Sequence, residues 1–300
     1  MNTERMVWRS LLFVPAHIDK FVERAHERGA DACVLDLEDS VPLAHKALAR
    51  TAAPAALECL AERGLDVLAR INSPEQGGLD DLLAIVCPAL SAVVLPKVGS
   101  AEDVRMAAAV LERLEHEREL PPGRIGLLAQ IEDVAALPRL DEIAAASPRL
   151  LGMSLGPEDF CVSAGMQPLL ETLHWPSQQV AFACRRAGIL PFGFPDSIAE
   201  FSDLSRLRQA VQSAKRLGMV GALCIHPAQV AVLNEAFSPT AEEVEYADGL
   251  LAELARAEAE GRGAFAYRGR MVDPPVVARA RETLQRHRAS QRRRPAALDH

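Results

Sequence analysis

Eight short apolar runs, each followed by a longer helical pattern, constrain this chain more than any other feature. They lie at 10–15, 32–37, 67–71, 92–95, 125–131, 150–155, 189–192 and 222–225. Alternating strand and helix segments build parallel sheets, because a parallel return needs a crossover where an antiparallel one needs only a hairpin. Most of the runs are continuously apolar, as strands covered on both faces require. Eight such units predict a (β/α)8 TIM barrel. The competing open, doubly wound sheet would carry a glycine-rich phosphate loop after its first strand. Here Pro15-Ala16-His17 follows instead.

The helical stretches have suitable punctuation. One over 18–28 stops at Gly29, one over 43–63 at Gly64 and one over 202–217 at Gly218, glycine being the usual left-handed stop. A fourth, over 101–117, follows Ser100 as N-cap, and a fifth covers 227–236. Pro54 should kink or break the second. The barrel domain is assigned to 1–237, where Ser238-Pro239 marks a stop. Residues 238–300 read as a C-terminal helical appendage or lid: a helix over 240–262 with Thr240 as N-cap, a turn or short hairpin over 261–269, and a last helix over 271–288. The closing basic stretch, 286–294 (RHRASQRRR), reads as a solvated tail rather than a phosphate site.

A chain of 300 residues with 49% apolar and 25% charged content suits one soluble barrel. Its net charge of −8 argues against nucleic acid as a partner. No apolar run approaches membrane-spanning length. Six scattered cysteines without a CxxC spacing fit a reduced, cytoplasmic setting.

Barrels of this kind build active sites at the C-terminal ends of their strands. Glu132 closes the fifth run and Asp159 follows the sixth in Gly156-Pro157-Glu158-Asp159. Two hard oxygen donors with open positions suit a Mg2+ that also takes water and an oxygen-rich substrate. Helix capping is the competing role for both, and Glu158 competes with Asp159 by adjacency. Asp36, inside the second run, must face the barrel interior or be strongly hydrogen-bonded. Glu38 and Asp39 would reach the mouth, with capping by Asp39 or Ser40 as the alternative.

Arg70 sits in an apolar strand and needs a buried anion. It either neutralises Glu38 or Glu132, or serves a substrate carboxylate or a developing enolate. Lys97 follows the fourth run; a Schiff-base role needs a depressed pKa, which acidic surroundings oppose, so electrostatic support near the metal site is expected, with a plain surface lysine as the alternative. His226, after the eighth run, is either an acid–base group or a histidine bonded to backbone, the latter being preferred.

Taken together, these segments resemble the HpcH/HpaI aldolase superfamily, in its citrate lyase β-subunit-like branch of acyl-CoA lyases. The resemblance rests on Arg9-Ser10-Leu11-Leu12-Phe13-Val14-Pro15, on Leu35-Asp36-Leu37-Glu38-Asp39-Ser40-Val41, and on Arg70-Ile71-Asn72 and Leu95-Pro96-Lys97. It continues through Gln130-Ile131-Glu132, Gly156-Pro157-Glu158-Asp159, Ile225-His226-Pro227-Ala228-Gln229 and Gly269-Arg270-Met271-Val272-Asp273, in order across about 9–285.

It implies a Mg2+-dependent barrel that cleaves a short 3-hydroxyacyl-CoA into a 2-oxo acid and an acyl-CoA. Glu132 and Asp159 would hold the metal, Arg70 would lie beside the substrate carbonyl with Glu38 in the catalytic set, and Asp273 would be an acid–base residue delivered by the appendage, often from an adjacent subunit. Homo-oligomers, commonly trimers, would follow. Lys20, Lys46 and Arg50 are the rim candidates for coenzyme A phosphates. Ala16-His17, Glu132-Asp133 and 192–197 depart from the usual family pattern and leave the acyl group open among citramalyl-, malyl-, citryl- and methylmalyl-CoA types. A malyl-CoA thioesterase, a CoA-independent 2-oxo-acid aldolase and a non-catalytic binding subunit are the alternatives.

Overall fold

The structure, a computed structural model, describes residues 8–261 and 265–292. Within it the chain divides into two compact units, Trp8–Phe237 and a second beginning at Ser238.

The first unit is built on eight parallel strands: β1 (Ser10–Pro15), β2 (Ala32–Asp36), β3 (Asp66–Arg70), β4 (Leu90–Leu95), β5 (Gly126–Ile131), β6 (Leu150–Leu155), β7 (Leu190–Phe192) and β8 (Ala222–Cys224). Each lies beside its neighbour in sequence, and β1 also pairs with β8. A bridge between Phe192 and Gly221 joins β7 to the approach to β8, so the eight strands form a nearly closed barrel. That is the expected (β/α)8 architecture. Every residue of β2, β5 and β6 is buried, as the unbroken apolar runs require.

The surrounding helices are α1 (Asp19–Arg24), α2 (Lys46–Glu62), α3 (Gly78–Ile85), α4 (Ala101–Glu117), α5 (Leu140–Ala144), α6 (Pro157–Ala164), α7 (Leu170–Ala187), α8 (Leu204–Leu217) and α9 (Pro227–Phe237). At α4, Ser100 and Asp103 form the reciprocal capping box that satisfies the first free amides. Contrary to expectation, Pro54 does not end α2. Five residues of that helix, Ala49, Ala53, Ala56, Leu57 and Leu60, are buried. Tertiary packing of such a face carries a helix that propensity alone would not.

At the N-terminal end of the barrel, buried acids tie strands and helices together. Glu115 of α4 accepts bonds from the amides of Gly123 and Ile125 and from both terminal nitrogens of Arg149, all at 2.7–2.8 Å. Asp31 likewise holds Arg9 through its backbone and guanidinium.

The second unit contains α10 (Ala241–Ala259), an antiparallel hairpin of β9 (Phe265–Tyr267) and β10 (Arg270–Val272), and α11 (Pro274–Arg292). Thr240 and Glu243 cap α10 reciprocally. Ala247, Leu250, Val272, Ala280 and Leu284 form its core. Residues 293–300, which include the end of the basic stretch, lie outside the described residues. Among the described residues, no helix is long and apolar enough to cross a membrane.

Candidate active site

Strand register decides the first pair at the C-terminal mouth. In the β2–β3 ladder Asp36 stands directly beside Arg70. The fully buried Asp36 accepts Arg70 Nε at 2.7 Å and Nη2 at 2.8 Å, and also the amides of Glu38 and Ser40. Burial pushes the Asp36 carboxyl up, but the Arg70 guanidinium more than reverses this and holds it below its usual range. The guanidinium carbon lies 4.4 Å over the Phe13 ring. Clamped on one edge by Asp36, Arg70 points Nη1 toward Glu38 Oε2 at 3.1 Å and Asp39 Oδ2 at 3.6 Å. Its principal partner is therefore Asp36, neither of the two glutamates named from sequence. Neither Asp39 nor Ser40 caps a helix; the chain enters α2 through a 3-10 turn at Leu43–His45.

Glu38 is 1% exposed, yet neither of its carboxylate oxygens has a hydrogen bond. Burial, before any neighbouring charge, raises its pKa. Glu132, also buried, accepts a single hydrogen bond, from the Lys97 amide at 3.0 Å. Its carboxyl is pushed up to about 8, chiefly by burial and next by the charge of Glu38. The capping role considered for it falls instead to Asp133, which accepts from the Ala135 amide. Glu132 leans over Gly156, where a Cβ would fall 2.5 Å from the Glu132 Cγ.

Asp159 lies in the first turn of α6 with its side chain 47% exposed, and the Lys97 ammonium stands 3.5 Å from its Oδ2. Adjacency could not separate it from Glu158, and both line the mouth cavity. Glu158 turns toward the loop after β7, accepting from Ser197 Oγ at 2.5 Å.

Lys97 has φ +53°, a left-handed conformation that disfavours a side chain by about 1–2 kcal/mol. Burial lowers its pKa, but Glu38 and then Asp159 outweigh this and raise it, so a Schiff-base lysine is not what the surroundings favour. His226 is bonded to backbone, its Nδ1 accepting from the Ala228 amide, and it stacks on Phe201.

Asp36, Arg70, Glu132, Glu158 and Asp159 border a cavity of about 400 Å3 whose wall also includes Phe13, Gln130 and Phe194. An apolar hollow of about 520 Å3 adjoins it, sharing Phe13, Pro15 and Ile225 and running along α1 past Phe21 and Arg28.

Of the three rim candidates, Lys20 is exposed on α1. Lys46 and Arg50 are engaged within the barrel unit. The Lys46 ammonium donates to the carbonyls of Leu37 and Glu38 and to Asn72 Oδ1, which uses all three of its N–H bonds. Arg50 is bound to Asp81 and the Gly77 carbonyl. Lys46 has no N–H left for a phosphate, whereas Arg50 keeps its Nη1 donors, 3.8 Å from Asp80 Oδ2. Asp273 belongs to the second unit, exposed at the start of α11, where its Oδ1 accepts from the Val276 amide.

Sequence reasoning passed over Gln130, buried on β5 with Oε1 unbonded at the cavity wall. Its signal was a polar residue two before Glu132 in an apolar strand, hence on the same side.

Residues 9–227 match the profile of the HpcH/HpaI aldolase/citrate lyase family. An L-malyl-CoA/beta-methylmalyl-CoA lyase of Cereibacter sphaeroides is 35% identical across 91% of this chain and 92% of its own. The citrate lyase subunit beta of Escherichia coli is 36% identical, covering 93% and 92%. Among solved structures, CitE from Mycobacterium tuberculosis in complex with magnesium, acetoacetate and coenzyme A superposes with TM-score 0.70 at 27% identity, over 94% of this chain and 99% of that one. The chain belongs to the HpcH/HpaI aldolase/citrate lyase family, and it is a carbon–carbon lyase.

Proposed function

We propose that this chain is a Mg2+-dependent acyl-CoA lyase that cleaves a short 3-hydroxyacyl-CoA of the citramalyl-, malyl- or citryl-CoA type into a 2-oxo acid and an acyl-CoA. The observation that carries it is the under-bonded acidic mouth: two buried glutamates with one hydrogen bond between them, beside an arginine clamped on its other edge. The orphaned oxygens of Glu38 and Gln130 and the single-donor carboxylate of Glu132 call for a hard cation. Among the described residues no three acidic, histidine or cysteine side chains converge on one point. A site held by Glu132 and Asp159 alone leaves coordination positions for a substrate.

Mg2+ would supply Lewis acidity toward the oxygens of the 2-oxo-acid part. Arg70, fixed by Asp36, presents Nη1 to the thioester oxygen, where charge develops as the enolate departs. The buried bidentate pair orients this donor in advance. Glu38, which keeps Nη1 company, confines it to one direction. Asp273, delivered by the second unit of an adjacent subunit in the oligomer, would give or take the proton at the enolate carbon. The adjoining apolar hollow suits the acyl-CoA arm, with the exposed Lys20 as a phosphate contact. The names of the relatives from C. sphaeroides and E. coli, and the magnesium and coenzyme A of the M. tuberculosis structure, support this reading. A homo-oligomer, commonly a trimer, belongs to the same reading.

The test is incubation with citramalyl-CoA and malyl-CoA, with and without Mg2+, assayed for 2-oxo acid release. Mg2+-dependent cleavage is expected, and Asp273→Asn should abolish turnover while Mg2+ binding persists. No cleavage of any short 3-hydroxyacyl-CoA would sink the reading. Loss of Mg2+ binding in Asp273→Asn would reassign that residue.

A further inference from the structure

Lys97 touches all three carboxylates of the mouth's acidic centre. Its amide donates to Glu132 Oε2 at 3.0 Å. Its ammonium stands 3.4 Å from Glu38 Oε1 and 3.5 Å from Asp159 Oδ2. The left-handed backbone at Lys97 serves both contacts at once, aiming the amide at one acid and the side chain between the other two. Of these acids, Glu38 is buried without a hydrogen bond and Asp159 is half exposed. An ammonium in that position shares Asp159 with any cation the carboxylate is asked to ligate.

We propose that Lys97 sets the divalent-metal affinity of the mouth by acting as a built-in competitor for Asp159. This rests on the metal reading above. A metal ion at Glu132 and Asp159 displaces the ammonium from Asp159, and Glu38 retains it. Glu38 is thereby the resting place of the displaced charge: its Oε2 faces Arg70 and its Oε1 is left to the ammonium. The exchange also separates ions by charge. A monovalent ion replaces one positive charge with one, whereas a divalent ion adds a second beside three acids. Because Lys97 and Asp159 are both partly exposed, the competition is modest.

Metal affinity is the readout, by calorimetric titration of Mg2+ and by Mn2+ binding followed through the free-ion spin-resonance signal. Lys97→Met keeps the backbone amide and the stem but removes the charge. It should bind either ion about two- to fivefold more tightly, while Lys97→Arg stays close to the parent. Lys97→Gln, a second neutral variant, should follow Lys97→Met. The Mg2+-induced rise in melting temperature should grow in both neutral variants, since tighter native-state binding stabilises by mass action. A merely structural lysine would give the opposite sign, with looser binding on substitution. Equal or weaker affinity in both neutral variants overturns the proposal. Glu132→Gln separates the two levels of argument: if it binds Mg2+ as well as the parent does, the metal reading itself fails, whatever Lys97 does.

Discussion

Two buried glutamates flank the same strand and live opposite lives. Glu115 meets β5 at its N-terminal entrance, where two backbone amides and a bidentate arginine saturate its oxygens. Although burial alone would raise its pKa, Arg149 and the amides of Ile125 and Gly123 hold it below the usual range. Glu132 stands just beyond the strand's other end with one donor, and burial pushes its carboxyl up to about 8. Both are glutamates with little solvent exposure, but Glu132 is the more deeply enclosed and has far fewer partners. A satisfied buried acid is a fastener, whereas one left short of partners has capacity for something that arrives later. Asp36 shows that the mouth has a fastener too, but the under-bonded acids Glu38 and Glu132 stand at the mouth, the end where barrels of this kind place catalysis.

The contrast is broken most directly at Glu132. Glu132→Gln should reduce kcat/KM by about a thousandfold or more, since several kcal/mol of Lewis-acid stabilisation would go with the metal. Its thermal stability measured in chelator should hold or rise, because an amide is cheaper to bury than an under-bonded carboxylate. A fall in stability would erase the distinction between the two ends.

Glu115→Ala is the converse. It strands Arg149 and two amides, and should cost about 3–5 kcal/mol in urea unfolding, with Mg2+ affinity of the folded fraction unchanged. The smallest effect expected is in acid. Because the folded pKa of Glu115 is depressed, its contribution is full above the unfolded carboxylate value, about 4.3, and is lost as pH falls through the lower folded value. Urea midpoints between pH 6 and pH 3 should decline less steeply in Glu115→Gln than in the parent. Identical slopes would show that Glu115 is not the fastener described here.

Much of this was legible before any coordinates. The eight runs gave the barrel because parallel strands covered on both faces must be apolar throughout, and β1 to β8 fall within them or within a residue or two of their ends. Glu38, Arg70, Glu132 and Asp159 were legible as polar residues at run ends. Their partners were not. That Arg70 takes Asp36 depends on the β2–β3 register, which no single strand's sequence contains. Lys46 read as a free cation on the rim because its three acceptors come from two other segments of the chain. Glu158 and Asp159 were indistinguishable by position; in the folded chain Glu158 accepts from Ser197 while Asp159 faces the Lys97 ammonium, partners that lie in other segments. Pro54 misled because local propensity was outweighed by the buried face of α2.

Glu132 occupies its place only because Gly156 has no side chain to contest it. A methyl group there would evict the carboxylate while every acid, the arginine and the lysine remained in the sequence. A descendant carrying that one change would still score as an intact enzyme by any inventory of charged residues. Loss of activity in this fold can therefore be written in a position that performs no chemistry, and inheritance of the acids is no warrant that the function came with them.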